Sequence, residues 1–104
     1  MSTALDSSDS EVVQGILRGM LEGVPVRIFG SRARGTNRRF SDLDLLLMTE
    51  EPLPPVRLGL LADAFDESDL PFRVDLVDAA SADPGFLARI EGECVPFIEA
   101  VGRA

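Results

Sequence analysis

Two aspartates and a Gly-Ser pair stand at a spacing that could bind a phosphorylated ligand. Gly30 and Ser31 are followed by ten residues and then by Asp42-Leu43-Asp44, which leads into an apolar run. Alternate side chains of a strand share a face, so Asp42 and Asp44 would point the same way and could hold divalent cations against a polyphosphate. A turn at Gly30-Ser31 that opens a helix would present backbone N–H groups to an anion. Together the two elements predict a site for a nucleoside triphosphate and Mg²⁺.

A third carboxylate, Asp75, lies in the middle of a strand candidate, residues 72–77. Burying a carboxylate is costly unless a positive or hydrogen-bonding group compensates it. If this strand lies beside residues 43–48, Asp75 can join the aspartate pair in a cluster whose mutual repulsion cations would relieve. Two Mg²⁺ ions there would organise an in-line displacement at phosphorus. The alternative is that Asp75 faces water at the edge of the sheet.

The distribution of charge also indicates a local anion site. The net charge is −8, which opposes nucleic acid or an anionic membrane as a general partner. All ten basic residues are arginine, and five of them lie between Arg27 and Arg39 with no acid among them. We expect Arg32 and Arg34 to neutralise phosphate oxygens, because a planar guanidinium suits that contact. For Arg38 and Arg39 a solvated loop is an equally good interpretation.

Several classes of site and location are disfavoured by composition. The chain has no histidine and one cysteine, Cys94, which argues against zinc sites, Ser-His or Cys-His catalysis and an internal disulfide. No apolar run approaches the roughly 18 residues of a membrane-spanning helix. Residues 1–10 lack the basic and apolar regions of a signal peptide. We therefore expect a cytoplasmic protein with Cys94 as a small core residue.

The hydrophobic pattern predicts an α/β fold, a small mixed β-sheet flanked by helices. Asp9 or Ser10 could cap a first helix that begins near Glu11 and ends before Gly23. The pattern leaves residues 32–37 open between a short helix and a loop, and residues 95–98 between a strand and an extended tail. The remaining predicted elements are strands over residues 26–29, 43–48 and 72–77, a helix from Pro54 or Pro55 to about Phe65, and a helix from Pro84 to about Glu91.

These motifs resemble the DNA polymerase beta nucleotidyltransferase superfamily. Three spaced elements carry the resemblance: Gly30-Ser31, then Asp42-Leu43-Asp44, then Asp75 within Val-Asp-Leu-Val. The chain is most similar to the minimal nucleotidyltransferase (MNT) branch, over roughly residues 26–78. The resemblance implies a polymerase-beta-like fold, with residues 10–104 a single nucleotidyltransferase domain. Residues 1–9 are small and polar, and we expect them to be a flexible N-terminus that frays.

The same resemblance implies roles for the motif residues. Asp42 and Asp44 would ligate two Mg²⁺ ions, and Asp75 would hold the catalytic ion and help to activate the attacking hydroxyl. Gly30 and Ser31 would contact the triphosphate of ATP or another nucleotide.

By resemblance, the expected activity is transfer of a nucleoside monophosphate, AMP from ATP in our leading interpretation, to a hydroxyl of a partner protein. MNT proteins often act as antitoxins beside a HEPN-type ribonuclease toxin. The chain has no tyrosine, which excludes self-modification on tyrosine. One alternative is a non-catalytic nucleotide-binding module that neutralises its partner by contact. A further alternative is modification of a small molecule such as an antibiotic. The oligomeric state is left open, because residues 95–101 could pack internally or against another subunit.

Overall fold

Helices and strands follow one another closely in the computed structural model, which describes residues 5–99. The helices are α1 (Ser7–Met20), α2 (Ser31–Arg34), α3 (Pro55–Asp66) and α4 (Pro84–Ile90), with a 3-10 turn at Ala79–Ser81. The strands are β1 (Val26–Phe29), β2 (Leu43–Leu47), β3 (Val74–Asp78) and β4 (Val95–Ile98). The structure decides the two segments that the sequence pattern left undecided. Residues 31–34 form a short helix, and residues 95–98 form a strand.

The four strands form one mixed sheet in the order β3-β2-β1-β4. Strand β1 runs antiparallel to both of its neighbours, whereas β2 and β3 are parallel and are joined through α3. Parallel neighbours need a crossover connection of this kind. The predicted mixed sheet with flanking helices is therefore confirmed.

The apolar run of β2 is buried on both faces of the sheet. Leu43, Leu45 and Leu47 point into the larger core, which packs under α1 and α3. Leu46 points to the opposite face, where a smaller cluster packs with α4. By the alternation of side chains along a strand, Asp44 lies on the same face as Leu46. The sheet thus separates the main core from the face that carries the aspartate.

The first helix begins earlier than the sequence pattern predicts. Asp6 is its N-cap, and the carboxylate accepts a hydrogen bond of 2.8 Å from the N–H of Asp9. Leu5 is buried, so packing and capping together fix a start at Ser7 rather than near Glu11. The predictions of a cap at Asp9 or Ser10 and of a start near Glu11 are wrong, whereas the flexibility of residues 1–9 stays a prediction. Residues 1–4 lie outside the described part of the chain.

Within residues 5–99, no helix is both long and apolar enough to cross a lipid bilayer. The longest helix of that range, α1, has 14 residues and exposes much of its polar face.

Candidate active site

Two of the three predicted carboxylates meet on the sheet. Strands β2 and β3 pair so that Asp44 stands directly opposite Asp75. In this register both side chains leave the same face of the sheet at neighbouring positions. Asp42 lies two residues before Asp44 on the lead-in to β2, and its side chain is exposed. The predicted placement of Asp75 beside β2 is confirmed; β3 is also an edge strand, and the Asp75 side chain is partly exposed there.

Asp44 is in an environment that disfavours its charged form. Burial raises the pKa of Asp44 to about 6, and the carboxylates of Asp75 and Asp42 add to the shift by repulsion. A hydrogen bond with Asp75 and the charge of Glu93 act in the same direction. Among residues 5–99, the ion pair at the cluster is weakly placed: Arg73 Nη2 lies 3.3 Å from Asp75 Oδ1, at an exposed position. The cluster therefore carries more negative charge than its neighbours neutralise.

The donor set of this cluster suits a hard divalent cation. Carboxylate oxygens, with no histidine or cysteine, are what Mg²⁺ prefers, and a cation would relieve the repulsion that raises the pKa of Asp44. Among residues 5–99, however, no three acidic, histidine or cysteine side chains are grouped closely enough to form a ready metal cage. The part of the site that the fold fixes is the Asp44–Asp75 pair. Metal binding by Asp42, Asp44 and Asp75 stays a prediction.

The Gly-Ser turn lies directly against Asp44. Gly30 follows β1 and has φ +79° and ψ −157°, a conformation open essentially to glycine alone. A Cβ atom on Gly30 would overlap with Oδ2 of Asp44. The Gly30 carbonyl accepts the N–H groups of Ala33 and Arg34, each at 3.1 Å, so α2 starts at Ser31. The two halves of the sequence motif, ten residues apart along the chain, are thus in contact.

Arg32 is buried, and its guanidinium packs against the lead-in to β2, close enough to Asp42 for their charges to attract. Its guanidinium donates to the carbonyl of Ser41 from Nε (3.1 Å) and Nη2 (2.9 Å), and from Nη2 to the carbonyl of Arg39 (3.1 Å). It also stacks 4.2 Å from the ring centroid of Phe72, just before β3. Arg32 is 7% exposed. This placement does not support the predicted phosphate contact of Arg32; it ties α2 to the lead-in of Asp42.

Sequence reasoning missed Glu93, which touches the turn. Glu93 Oε2 accepts the N–H of Gly30 at 2.8 Å, and Glu93 Oε1 accepts Nη1 of Arg34 at 3.1 Å. The predicted phosphate ligand Arg34 is therefore near the turn, half exposed and paired with an acid. The segment before β4 contains both Glu91 and Glu93. Only the register of β4 against β1 shows which one reaches Gly30, and the sequence carries no signal for that register.

Comparison with known proteins agrees with this geometry. The family model described as "Polymerase beta, Nucleotidyltransferase" matches residues 14–99. A curated protein of Haemophilus influenzae named "Probable protein adenylyltransferase MntA" is 42% identical over 82 residues, which cover 79% of this chain and 72% of the relative.

Two solved structures extend the comparison. One is a crystal structure of a toxin–antitoxin with AMP-PNP, with a TM-score of 0.74, 25% identity and coverage of 88% of this chain and 73% of that chain. The other is a candidate minimal nucleotidyltransferase, with a TM-score of 0.64, 34% identity and coverage of 86% and 89%. With its aspartate pair packed against a Gly-Ser turn, the chain belongs to the polymerase beta nucleotidyltransferase family and is a nucleotidyltransferase of the minimal branch.

Proposed function

We propose that this chain transfers AMP from ATP to a hydroxyl group of a partner protein in the cytoplasm, as the antitoxin of a HEPN-type toxin. The observation that carries the proposal is the Asp44–Asp75 pair held against the Gly30 turn. The relative from Haemophilus influenzae is named a protein adenylyltransferase, and the toxin–antitoxin structure contains an ATP analogue. Both names support a protein acceptor and an adenine nucleotide.

Each group at the site would have its own role in this reaction. The acceptor hydroxyl oxygen attacks the α-phosphorus of ATP, and pyrophosphate leaves. Asp75, half exposed beside Asp44, accepts the proton of the hydroxyl. The Gly30-Ser31 turn holds the triphosphate in line for this attack, so positioning supplies much of the catalysis. Mg²⁺ held by Asp42, Asp44 and Asp75 would neutralise the charge that develops on the phosphate oxygens.

The exposure of the carboxylates favours a macromolecular acceptor over a small molecule. Asp42 is exposed, and the side chain of Asp75 keeps 43% of its surface accessible. Two grooves have volumes of about 620 and 340 Å³; the larger borders α2, but none of the three aspartates lines either groove. A small-molecule acceptor is usually enclosed in a cavity. Because the chain lacks tyrosine, a tyrosine acceptor would have to be on the partner.

The test uses the protein encoded by the neighbouring gene as acceptor. Incubation with ATP and Mg²⁺ should raise the mass of that protein by one AMP residue, and the change should persist after the two proteins are separated. Neutralisation should occur below a one-to-one ratio, because one catalyst can modify many partners. The double variant D42N/D44N should lose both effects.

The competing function is neutralisation by contact alone. It would be favoured if the D42N/D44N variant still neutralised the partner, only at equal stoichiometry and without a change of mass. The cluster speaks against this outcome: mutually repelling carboxylates beside a turn destabilise a domain that has no use for them.

A further inference from the structure

Glu93 connects the two elements that form the turn. One carboxylate oxygen accepts the N–H of Gly30 at the end of β1, and the other accepts the guanidinium of Arg34 at the end of α2. We propose that Glu93 is a positioning residue for the nucleotide: it holds the Gly30 turn and Arg34 in the arrangement that receives the triphosphate. This inference rests on the proposed nucleotidyl transfer.

The sheet explains why a side chain is needed at this point. Strands β1 and β4 pair as far as Ile28 opposite Val95, and two residues further on the same register sets Gly30 opposite Glu93. There the ladder has ended, so no backbone carbonyl of β4 accepts the Gly30 N–H. The Glu93 carboxylate takes that role. A hydrogen bond at this atom fixes the orientation of the peptide that enters the turn.

The backbone conformation of Gly30 explains why its hydrogen bond with Glu93 matters. Glycine has more conformational freedom than any other residue, so the Gly30 turn keeps one conformation only while surrounding contacts hold it. The Asp44 carboxylate lies where a Cβ of this residue would be, and the Glu93 carboxylate accepts its N–H. Without Glu93 the turn would sample other orientations, and the nucleotide would have to order it on binding. Ordering in advance is what raises affinity for a ligand.

The charge balance agrees with a positioning role. The Gly30 N–H and the Arg34 guanidinium hold the pKa of Glu93 below its ordinary value, so the carboxylate is ionised at neutral pH. Arg34 neutralises it at 3.1 Å, and the side chain of Glu93 keeps 25% of its surface accessible against 51% for Arg34. The exposed guanidinium can therefore reach a phosphate while Glu93 still orients it.

The opposite role would be that of an internal anion that competes with phosphate for Gly30 and Arg34. The two roles predict opposite signs. If Glu93 positions the site, its removal weakens nucleotide binding. If it competes, its removal strengthens binding and overturns the proposal.

The experiment compares E93A and E93Q with E91A, which changes an exposed glutamate of the same segment. Calorimetry with the non-hydrolysable analogue AMP-PNP and Mg²⁺ should show about a tenfold loss of affinity in E93A, the scale of one lost hydrogen bond to a charged group. E93Q keeps an oxygen acceptor for Gly30 and should lose only about threefold. E91A should bind like the wild type.

Kinetics and amide exchange separate positioning from a general loss of structure. In E93A the KM for ATP should rise while the KM for the partner protein stays constant, and hydrogen exchange at the Gly30 amide should accelerate. A change in kcat alone, or E93A behaving like E91A, would overturn the inference. If E93A does not fold, the affinity of E93Q decides. A wild type that binds no nucleotide would overturn the proposed function and this inference together, whereas an active wild type with unaffected E93A and E93Q overturns this inference alone.

Discussion

The two aspartates of β3 show how differently one strand can use the same side chain. Asp75 and Asp78 are three residues apart, so they point to opposite faces of the sheet. Asp78 is buried, and it accepts hydrogen bonds from the Thr49 hydroxyl, the N–H of Leu53 (2.7 Å) and the hydroxyl of Ser81 (3.1 Å). Asp75 instead faces another carboxylate, Asp44, with one exposed arginine nearby.

The difference separates a carboxylate whose charge is satisfied inside the fold from one whose charge is not. Burial would raise the pKa of Asp78, but its donors outweigh that effect and keep the pKa below its ordinary value. At Asp44 burial and the neighbouring acids act together, and the pKa rises to about 6. A carboxylate whose charge is satisfied inside the protein stabilises the fold. One whose charge is opposed is a candidate for a binding or catalytic site.

The largest effect should come from replacing the opposed carboxylate. We expect D44N to lower AMP transfer by at least two orders of magnitude, the scale for removal of a positioned electrostatic group. The metal-free protein should be as stable as the wild type or slightly more stable, because a repelling charge disappears. Transfer is measured with the partner protein, and stability by urea unfolding.

The matched control is D78N, which should lose stability but keep its transfer activity. Its amide N–H₂ cannot accept the hydrogen bonds that Asp78 receives, so we expect a loss of about 1–3 kcal/mol in the free energy of unfolding. Transfer per folded molecule should stay near the wild-type level. Equal losses of transfer in both variants would remove the distinction between the two aspartates.

Two glycine substitutions test whether the turn depends on glycine at position 30. G30A places a Cβ against Asp44 and forces alanine into a conformation that costs about 1–3 kcal/mol. We expect lower stability and at least a tenfold loss of transfer. G15A lies on the exposed side of α1 with no heavy atom within 4 Å of the added Cβ, and should gain about 0.5–1 kcal/mol. An active, stable G30A would show that the turn does not need glycine.

The smallest expected effect concerns pH. The unfolded chain releases the Asp44 proton near the ordinary pKa of 3.8, and the folded, metal-free chain only near 6. Between these values the folded state holds more protons, so the stabilising effect of protonated Asp44 is complete below 3.8 and is lost as the pH rises through about 6. As the pH rises from 3.8 to about 6, the melting temperature of the wild type should fall relative to that of D44N. Parallel curves would contradict the raised pKa.

Local patterns explain what could be predicted from the sequence. The apolar run of β2 and the glycine of the turn act through side-chain period and backbone conformation, which neighbouring residues encode. The segment Val-Asp-Leu-Val-Asp does not say which aspartate finds donors, because two donors of Asp78 come from Thr49 and Leu53, far along the chain. The inward turn of Arg32 depends equally on tertiary contacts, with the Ser41 carbonyl and the Phe72 ring.

Calorimetry of AMP-PNP binding with Mg²⁺ and after chelation tests the central claim most directly, that the Asp44–Asp75 cluster and the Gly30 turn form one metal-dependent nucleotide site. The account predicts that the wild type and D78N bind the analogue tightly with Mg²⁺ and weakly without it, and that D44N binds weakly in both conditions. Equal affinity of the wild type before and after chelation, or metal-dependent binding that D44N retains in full, would contradict it.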